Sequence, residues 1–259
     1  MFLIPTRHIL VPALLLVFTA LAHADFNIVW PQPQPPPGTP PQCFPQPRFD
    51  CLPHFLNNLE KLKAGPYDMV LDGDSITDFW QQAGAGVWQK HFGAIKTADF
   101  AIAGDGVQSV LWRLRNGELK GQDPKLIMLL IGTNNFNQNP QDVANGIKLL
   151  LNEYETQCPD AHILLLGIFP RVGATDWIAK VNPILATYDD GKRVTYLDIG
   201  PKFLQPDGTF SKENMPDTVH PSPKGYEIWA EAIQPIVDKY FPPKPAPADA
   251  PAPVPAPAK

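Results

Sequence analysis

The chain has 259 residues, 44% hydrophobic and 18% charged, an ordinary globular composition with enough apolar material for one sizeable core. A formal net charge of −5 without a basic patch argues against nucleic acid and anionic membrane surfaces as partners. Three cysteines with no C-x-x-C spacing and no His/Cys cluster offer no metal site, and the 32 prolines crowd the two ends.

The first residues read as a targeting signal. Arg7 supplies a positive start, Ile9 to Leu21 an apolar run, and Ala22-His23-Ala24 the small residues of a cleavage site. The apolar run falls short of the ~20 residues that a membrane helix needs, so cleavage after Ala24 and export to a periplasm or the exterior are expected, with no stable insertion in the membrane. Residues 25–51 form a proline-rich leader, expected to be extended and partly polyproline II. In an oxidising compartment Cys43 and Cys51 either close a small disulfide loop or remain small unpaired hydrophobes; Cys158, at a helix end, is left over. Residues 52–240 form the folded domain, and residues 241–259, alternating Pro with Ala, have almost nothing to bury and read as a semi-rigid disordered tail.

Within the domain the pattern alternates. A helix over Leu52 to Ala64 leads to a strand over Tyr67 to Leu71, and a weaker strand follows at Thr97 to Ile102. Next come a helix at Val107 to Arg115, a strand at Lys125 to Ile131, a helix at Gln141 to Gln157 and a strand at Ile163 to Ile168. A helix at Trp177 to Tyr188, a strand at Val194 to Leu197 and a helix at Pro223 to Tyr240 complete the order. Continuous apolar strands alternating with helices predict an α/β fold with a parallel sheet covered on both faces. Ligands of such sheets sit beyond the carboxyl ends of the strands.

Four blocks fall at those ends. Asp72-Gly73-Asp74-Ser75 puts a serine at a strand-to-helix turn, a position that suits a nucleophile and equally suits a helix cap. Ala103-Gly104-Asp105-Gly106 brings glycines whose N–H groups can approach a ligand closely. In Gly132-Thr133-Asn134-Asn135 an apolar run stops at two side-chain amides, one of which can donate to an oxyanion. Asp217-Thr218-Val219-His220 spaces a carboxylate so that it reaches an imidazole Nδ1 and leaves Nε2 free to accept a proton. The remaining histidines are weaker candidates: His8 and His23 lie in the signal, His54 and His91 in helical patterns, and His162 opens a strand. Ile76, Thr133 and Val219 adjoin the motif residues, and as medium-sized side chains walling an acyl site they favour short chains.

Taken in order, Gly73-Asp74-Ser75, Gly104, Gly132-x-Asn134 and Asp217-x-x-His220 resemble the blocks of the SGNH or GDSL-type hydrolases. The run Gly104 to Leu119, with its Leu-Trp-Arg-Leu-Arg-Asn-Gly-Glu-Leu segment, is similar to the catalytic subunits of intracellular platelet-activating-factor acetylhydrolases and their bacterial relatives. It departs from them in having Gly106-Val107 where they carry a threonine pair, and the export signal sets it apart from their cytoplasmic role. The resemblance covers the domain and neither proline-rich end. It implies a flavodoxin-like three-layer α/β/α sandwich with a mostly parallel five-stranded sheet. It also implies a Ser75–His220–Asp217 triad, an oxyanion hole of Ser75, Gly104 and Asn134, and no cofactor or metal. Ser75 lacks the G-x-S-x-G elbow of classical α/β-hydrolases. The expected activity is removal of short acyl groups, acetyl foremost, from a small ester or an O-acetylated saccharide. A lysophospholipase or thioesterase with a longer acyl pocket, and a non-catalytic envelope-binding protein, are the competing readings; oligomeric state is left open.

Overall fold

The computed structural model describes residues 34–243, so the expected signal, the start of the leader and the tail beyond residue 243 lie outside the described residues. Five strands, β1 (Met69–Gly73), β2 (Thr97–Asp99), β3 (Leu126–Leu130), β4 (His162–Leu166) and β5 (Val194–Leu197), pair in parallel in the order β2-β1-β3-β4-β5. The helices are α1 (Leu52–Lys61), α2 (Ser75–Asp78), α3 (Ala85–Phe92), α4 (Val107–Arg115), α5 (Pro140–Gln157), α6 (Thr175–Ala186) and α7 (Pro223–Tyr240).

Every residue of β1, β3 and β4 is buried, as a sheet covered on both faces requires. Side-chain alternation sorts the core into two layers. Val70, Ile127, Leu129, Ile163, Leu165 and Val194 meet α4, α5 and α6 on one face. Met69, Leu71, Leu126, Met128, Leu130, Leu164 and Leu166 meet α3 and α7 on the other, where Tyr226, Trp229, Ile233 and Val237 fill the space. Each such aliphatic side chain contributes about 1.5–3 kcal/mol on burial, which is what holds the three layers together.

Capping fixes the long helices in place. Asn139 accepts the N–H groups of Gln141 (2.9 Å) and Asp142 (3.2 Å) ahead of α5, and Ser222 accepts that of Gly225 (3.2 Å) ahead of α7; each is followed by a proline at the first helical position. β2 ends at Asp99, three residues short of the expected Thr97 to Ile102. The N–H groups of Phe100 and Ile102 still donate to the β1 carbonyls of Leu71 (2.9 Å) and Gly73 (3.2 Å), and the intervening Ala101 N–H donates to the Asp99 carboxylate (3.0 Å). α6 begins two residues before the expected Trp177, and α3 occupies a stretch where the sequence offered only a helical pattern around His91.

Residues 41–51, in the expected leader, fold over α4 and α5 in two short 3₁₀ turns; the Gln46 N–H donates to the Gln108 carbonyl at 3.0 Å. Cys43 and Cys51 are unbonded, their thiols directed to different carbonyls, Asp142 and Ala103. The strand order reverses at β1: the chain steps from β1 to β2 on one side, then to β3 on the other. Such a switch point opens a crevice beyond the carboxyl ends of β1 and β3.

Candidate active site

Both strands that flank the switch point deliver a motif into it. β1 runs through Gly73 and Asp74 into α2, whose first residue is Ser75. Asp74 caps that helix, its Oδ1 accepting the N–H of Ile76 at 3.0 Å. Gly73 makes the turn possible: its φ is +152°, and a Cβ there would lie 2.1 Å from the Leu130 carbonyl oxygen on β3. Burial raises the Asp74 carboxyl to about 7, against the Ile76 hydrogen bond that lowers it.

Ser75 Oγ lies 2.8 Å from His220 Nε2, across 145 residues of sequence. His220 Nδ1 lies 2.6 Å from Asp217 Oδ2, while Asp217 Oδ1 accepts the N–H groups of Val219 (2.9 Å) and His220 (2.7 Å). This wrap requires Thr218 at φ +66°, an uncommon conformation for a β-branched residue, held by the four-residue turn. Burial alone would raise the Asp217 carboxyl, but the bonds from the His220 ring and the two backbone N–H groups outweigh it and bring it down to about 2. The Phe79 ring packs on the imidazole with centroids 4.9 Å apart. Ser75 is 9% exposed, so the nucleophile is nearly enclosed by its neighbours.

Gly104 follows β2 at φ +85°, and a Cβ on it would come within 2.7 Å of the Arg48 guanidinium. Among the described residues, neither the Ser75 N–H nor the Gly104 N–H is committed to another group. Asn134 lies in the turn after β3; its Nδ2 donates one hydrogen to the Asp105 carbonyl at 2.9 Å and keeps a second. The two adjacent amides divide their work. Asn134 is exposed, whereas Asn135 is fully buried, accepting from the Val107 N–H (2.9 Å) and donating to Gln108 and Gln138 (both 3.0 Å).

The expected acyl-site neighbours are packed side chains. Ile76 and Thr133 are 1% and 3% exposed, and Val219 lies against the core layer that contains Ile76. A cavity of about 450 Å³ beyond β4 and β5 is lined by Ile168, Ile178, Tyr196 and Phe210 among others, and by none of the motif residues.

The sequence reading did not single out the charges behind the site. Arg113, on α4, donates from Nη2 to Asp72 (2.8 Å), from Nε to Asp105 (2.8 Å) and from Nη1 to Glu118, all within the interior. Tyr154 Oη donates to the other oxygen of Asp72 at 2.7 Å, and Asn58 donates to Glu118 at 3.2 Å. Arg48 adds bonds to the Ala103 carbonyl (2.8 Å) and Asp105 (3.2 Å). A signal was available: Asp72 closes an apolar strand and Arg113 interrupts Val110-Leu111-Trp112 and Leu114, and charges in such settings are buried only when paired.

Residues 73–228 match the GDSL-like lipase/acylhydrolase family. The chain is 32% identical to the platelet-activating factor acetylhydrolase IB subunit alpha1 of Homo sapiens over 175 residues, 66% of this chain and 75% of that protein. It is 36% identical to the alpha2 subunit of Gallus gallus over 158 residues, 59% and 68% of the two chains. In fold it is similar to a solved protein from Streptococcus pneumonia, with a TM-score of 0.64, 19% identity and coverage of 71% and 91%. It is also similar to the psychrotrophic esterase EstA from Pseudoalteromonas sp., with a TM-score of 0.51, 13% identity and coverage of 67% and 98%. The expected three-layer α/β/α fold with its five-stranded parallel sheet is borne out. On a family match that spans most of the folded domain, the chain belongs to the GDSL-like lipase/acylhydrolase family and is a carboxylic ester hydrolase.

Proposed function

We propose that the protein is an exported serine esterase that removes short acyl groups, acetyl foremost, from small esters or O-acetylated saccharides. The observation that carries this reading is the relay Ser75 Oγ–His220 Nε2–Asp217, with spans of 2.8 and 2.6 Å. Ser75 attacks the ester carbonyl and His220 takes its proton. The Asp217 carboxylate holds the imidazole by Nδ1–H, fixing the tautomer whose Nε2 accepts. The Ser75 and Gly104 N–H groups and the Asn134 amide receive the negative charge of the tetrahedral intermediate. His220 then returns the proton to the leaving alcohol, and a water activated by the same imidazole releases the acid. No step calls on a metal or cofactor.

The acetyl preference is supported by the relatives that are named acetylhydrolases. Two effects oppose each other as the acyl chain grows. Each methylene gains ~0.8 kcal/mol if the site buries it, whereas forcing it into a closed wall costs ~1–3 kcal/mol. With closed walls, kcat/KM for p-nitrophenyl esters falls steadily from acetate to hexanoate. A maximum at octanoate or beyond overturns the acetyl assignment in favour of a lipase-like pocket. Export is supported by Arg7, the apolar run to Leu21 and Ala22-His23-Ala24. A secreted form beginning at Asp25 tests it, and a cell-retained form that keeps Met1 overturns it.

A further inference from the structure

All three proposed oxyanion donors sit in turns or at the start of a short helix just past the strand ends, yet the stabilisation they give depends on fixed positions, since a donor displaced by 1 Å loses most of its effect. Ser75 and Gly104 each follow or occupy a glycine turn with a positive φ, at Gly73 and Gly104, where the backbone has the widest freedom. Something outside these turns must hold them.

We propose that Arg113 is the positioning residue of the oxyanion site, its buried guanidinium clamping the Ser75 turn and the Gly104 turn at a fixed separation. This rests on the reading of Ser75, Gly104 and Asn134 as oxyanion donors. The planar fork reaches one carboxylate on each turn. Nη2 holds Asp72 Oδ1, three residues before Ser75, and the same oxygen accepts the Gly73 N–H at 2.8 Å. Nε holds Asp105 Oδ2, the residue after Gly104. The third donor is tied to the same point, because Asn134 gives its amide hydrogen to the Asp105 carbonyl. One rigid group therefore sets the spacing of three loops that come from β1, β2 and β3.

The cluster is poorly explained as a stability device. Arg113 is 3% exposed, and Asp72, Asp105 and Glu118 are 1% or less. Buried ion groups of this kind are often no more stable than an apolar core of equal volume, because desolvation offsets the attraction. Burial works against the Arg113 charge, yet the acidic groups around it, Asp72 foremost, hold it well above the usual range. Lysine cannot replace it: an ammonium is a point charge and cannot span two carboxylates in one plane.

The test compares the purified full chain with Arg113→Lys and Asp105→Asn. The readouts are kcat and KM on p-nitrophenyl acetate, the rate of phosphonylation of Ser75 by an alkyl fluorophosphonate, and the cooperativity of thermal melting. Arg113→Lys is expected to melt cooperatively and to lose roughly 10- to 100-fold in kcat, below the ~10²–10³ lost with a whole donor. KM stays within about threefold, because the loss is confined to the transition state, and phosphonylation slows in parallel. Should Arg113→Lys fail to fold, Asp105→Asn decides. It keeps the carbonyl that Asn134 uses and weakens one anchor of the fork from a charged to a neutral acceptor, and its kcat is expected to fall roughly 3- to 10-fold. A folded variant with unchanged kcat, or with the whole loss in KM, overturns the inference while leaving the esterase reading standing. A wild type that neither turns over acetate esters nor is phosphonylated at Ser75 overturns the site reading, and this inference with it.

Discussion

Asn134→Ala separates catalysis from stability. In the folded protein the Asn134 side chain is exposed and makes one hydrogen bond, to the Asp105 carbonyl at 2.9 Å. Removing it loses one neutral hydrogen bond, worth about 1 kcal/mol. For a domain of this size that is a fall in Tm of about 2–4 °C. The second amide hydrogen is the one proposed for the oxyanion, and its loss costs roughly 10²–10³ in kcat, or about 2.7–4 kcal/mol of transition-state stabilisation. KM changes little, because the ester carbonyl in the ground state carries little of the charge that the donor receives. The assay is steady-state hydrolysis of p-nitrophenyl acetate alongside thermal melting of the same preparation. A rise in KM at unchanged kcat would show that Asn134 binds the ground state and would refute its assignment as an oxyanion donor.

Gly73→Ala is expected to destabilise the protein by more than about 3 kcal/mol, since it adds positive-φ strain to a Cβ placed 2.1 Å from the Leu130 carbonyl oxygen, backbone that cannot swing aside. Urea unfolding measures it, and a midpoint within error of wild type contradicts the strand-end geometry. Glu118→Gln probes the buried charges through pH. Burial raises the Glu118 carboxyl from 4.5 to about 8, against the lowering effect of Arg113. Between those values the folded state keeps a proton that the unfolded state releases, so this group makes stability fall as pH rises from about 4.5 to about 8. Glutamine removes that slope, and the Tm difference between pH 5 and pH 8 is expected to narrow. Asp74, raised by burial to about 7, contributes in the same direction and remains in the variant. An unchanged Tm difference would mean that Glu118 is ionised in the folded protein.

The layered fold was legible in the sequence because fully buried parallel strands are written as unbroken apolar runs, such as Leu126 to Leu130, which no solvent-facing strand tolerates. Residues at strand ends were legible for the same reason: Ser75 and Asn134 stand where an apolar run gives way to glycine and polar side chains. β2 was read three residues too long because Phe100 to Ile102 keep the apolar character and the hydrogen bonds to β1 of a strand beyond its regular end at Asp99. α3 was missed because its eight residues bury only Phe92 fully, so its apolar pattern is thin. The packing of residues 41–51 was hidden by their prolines, which suggest extension and give no hint of the surface they cover. The Arg113 cluster was hidden by distance, since its partners lie 5 to 41 residues away in sequence and only the sheet brings them together.

The central claim is that Ser75 is the nucleophile, and covalent trapping tests it most directly. The wild-type chain is treated with an alkyl fluorophosphonate, digested and mapped by mass spectrometry. The account predicts one adduct, on Ser75, formed in step with loss of hydrolysis. It also predicts that Ser75→Ala is unlabelled and loses activity by roughly 10⁶-fold. An adduct on any other residue, or a Ser75→Ala protein that keeps more than about a few per cent of wild-type turnover where nucleophile loss should remove nearly all of it, would contradict the account.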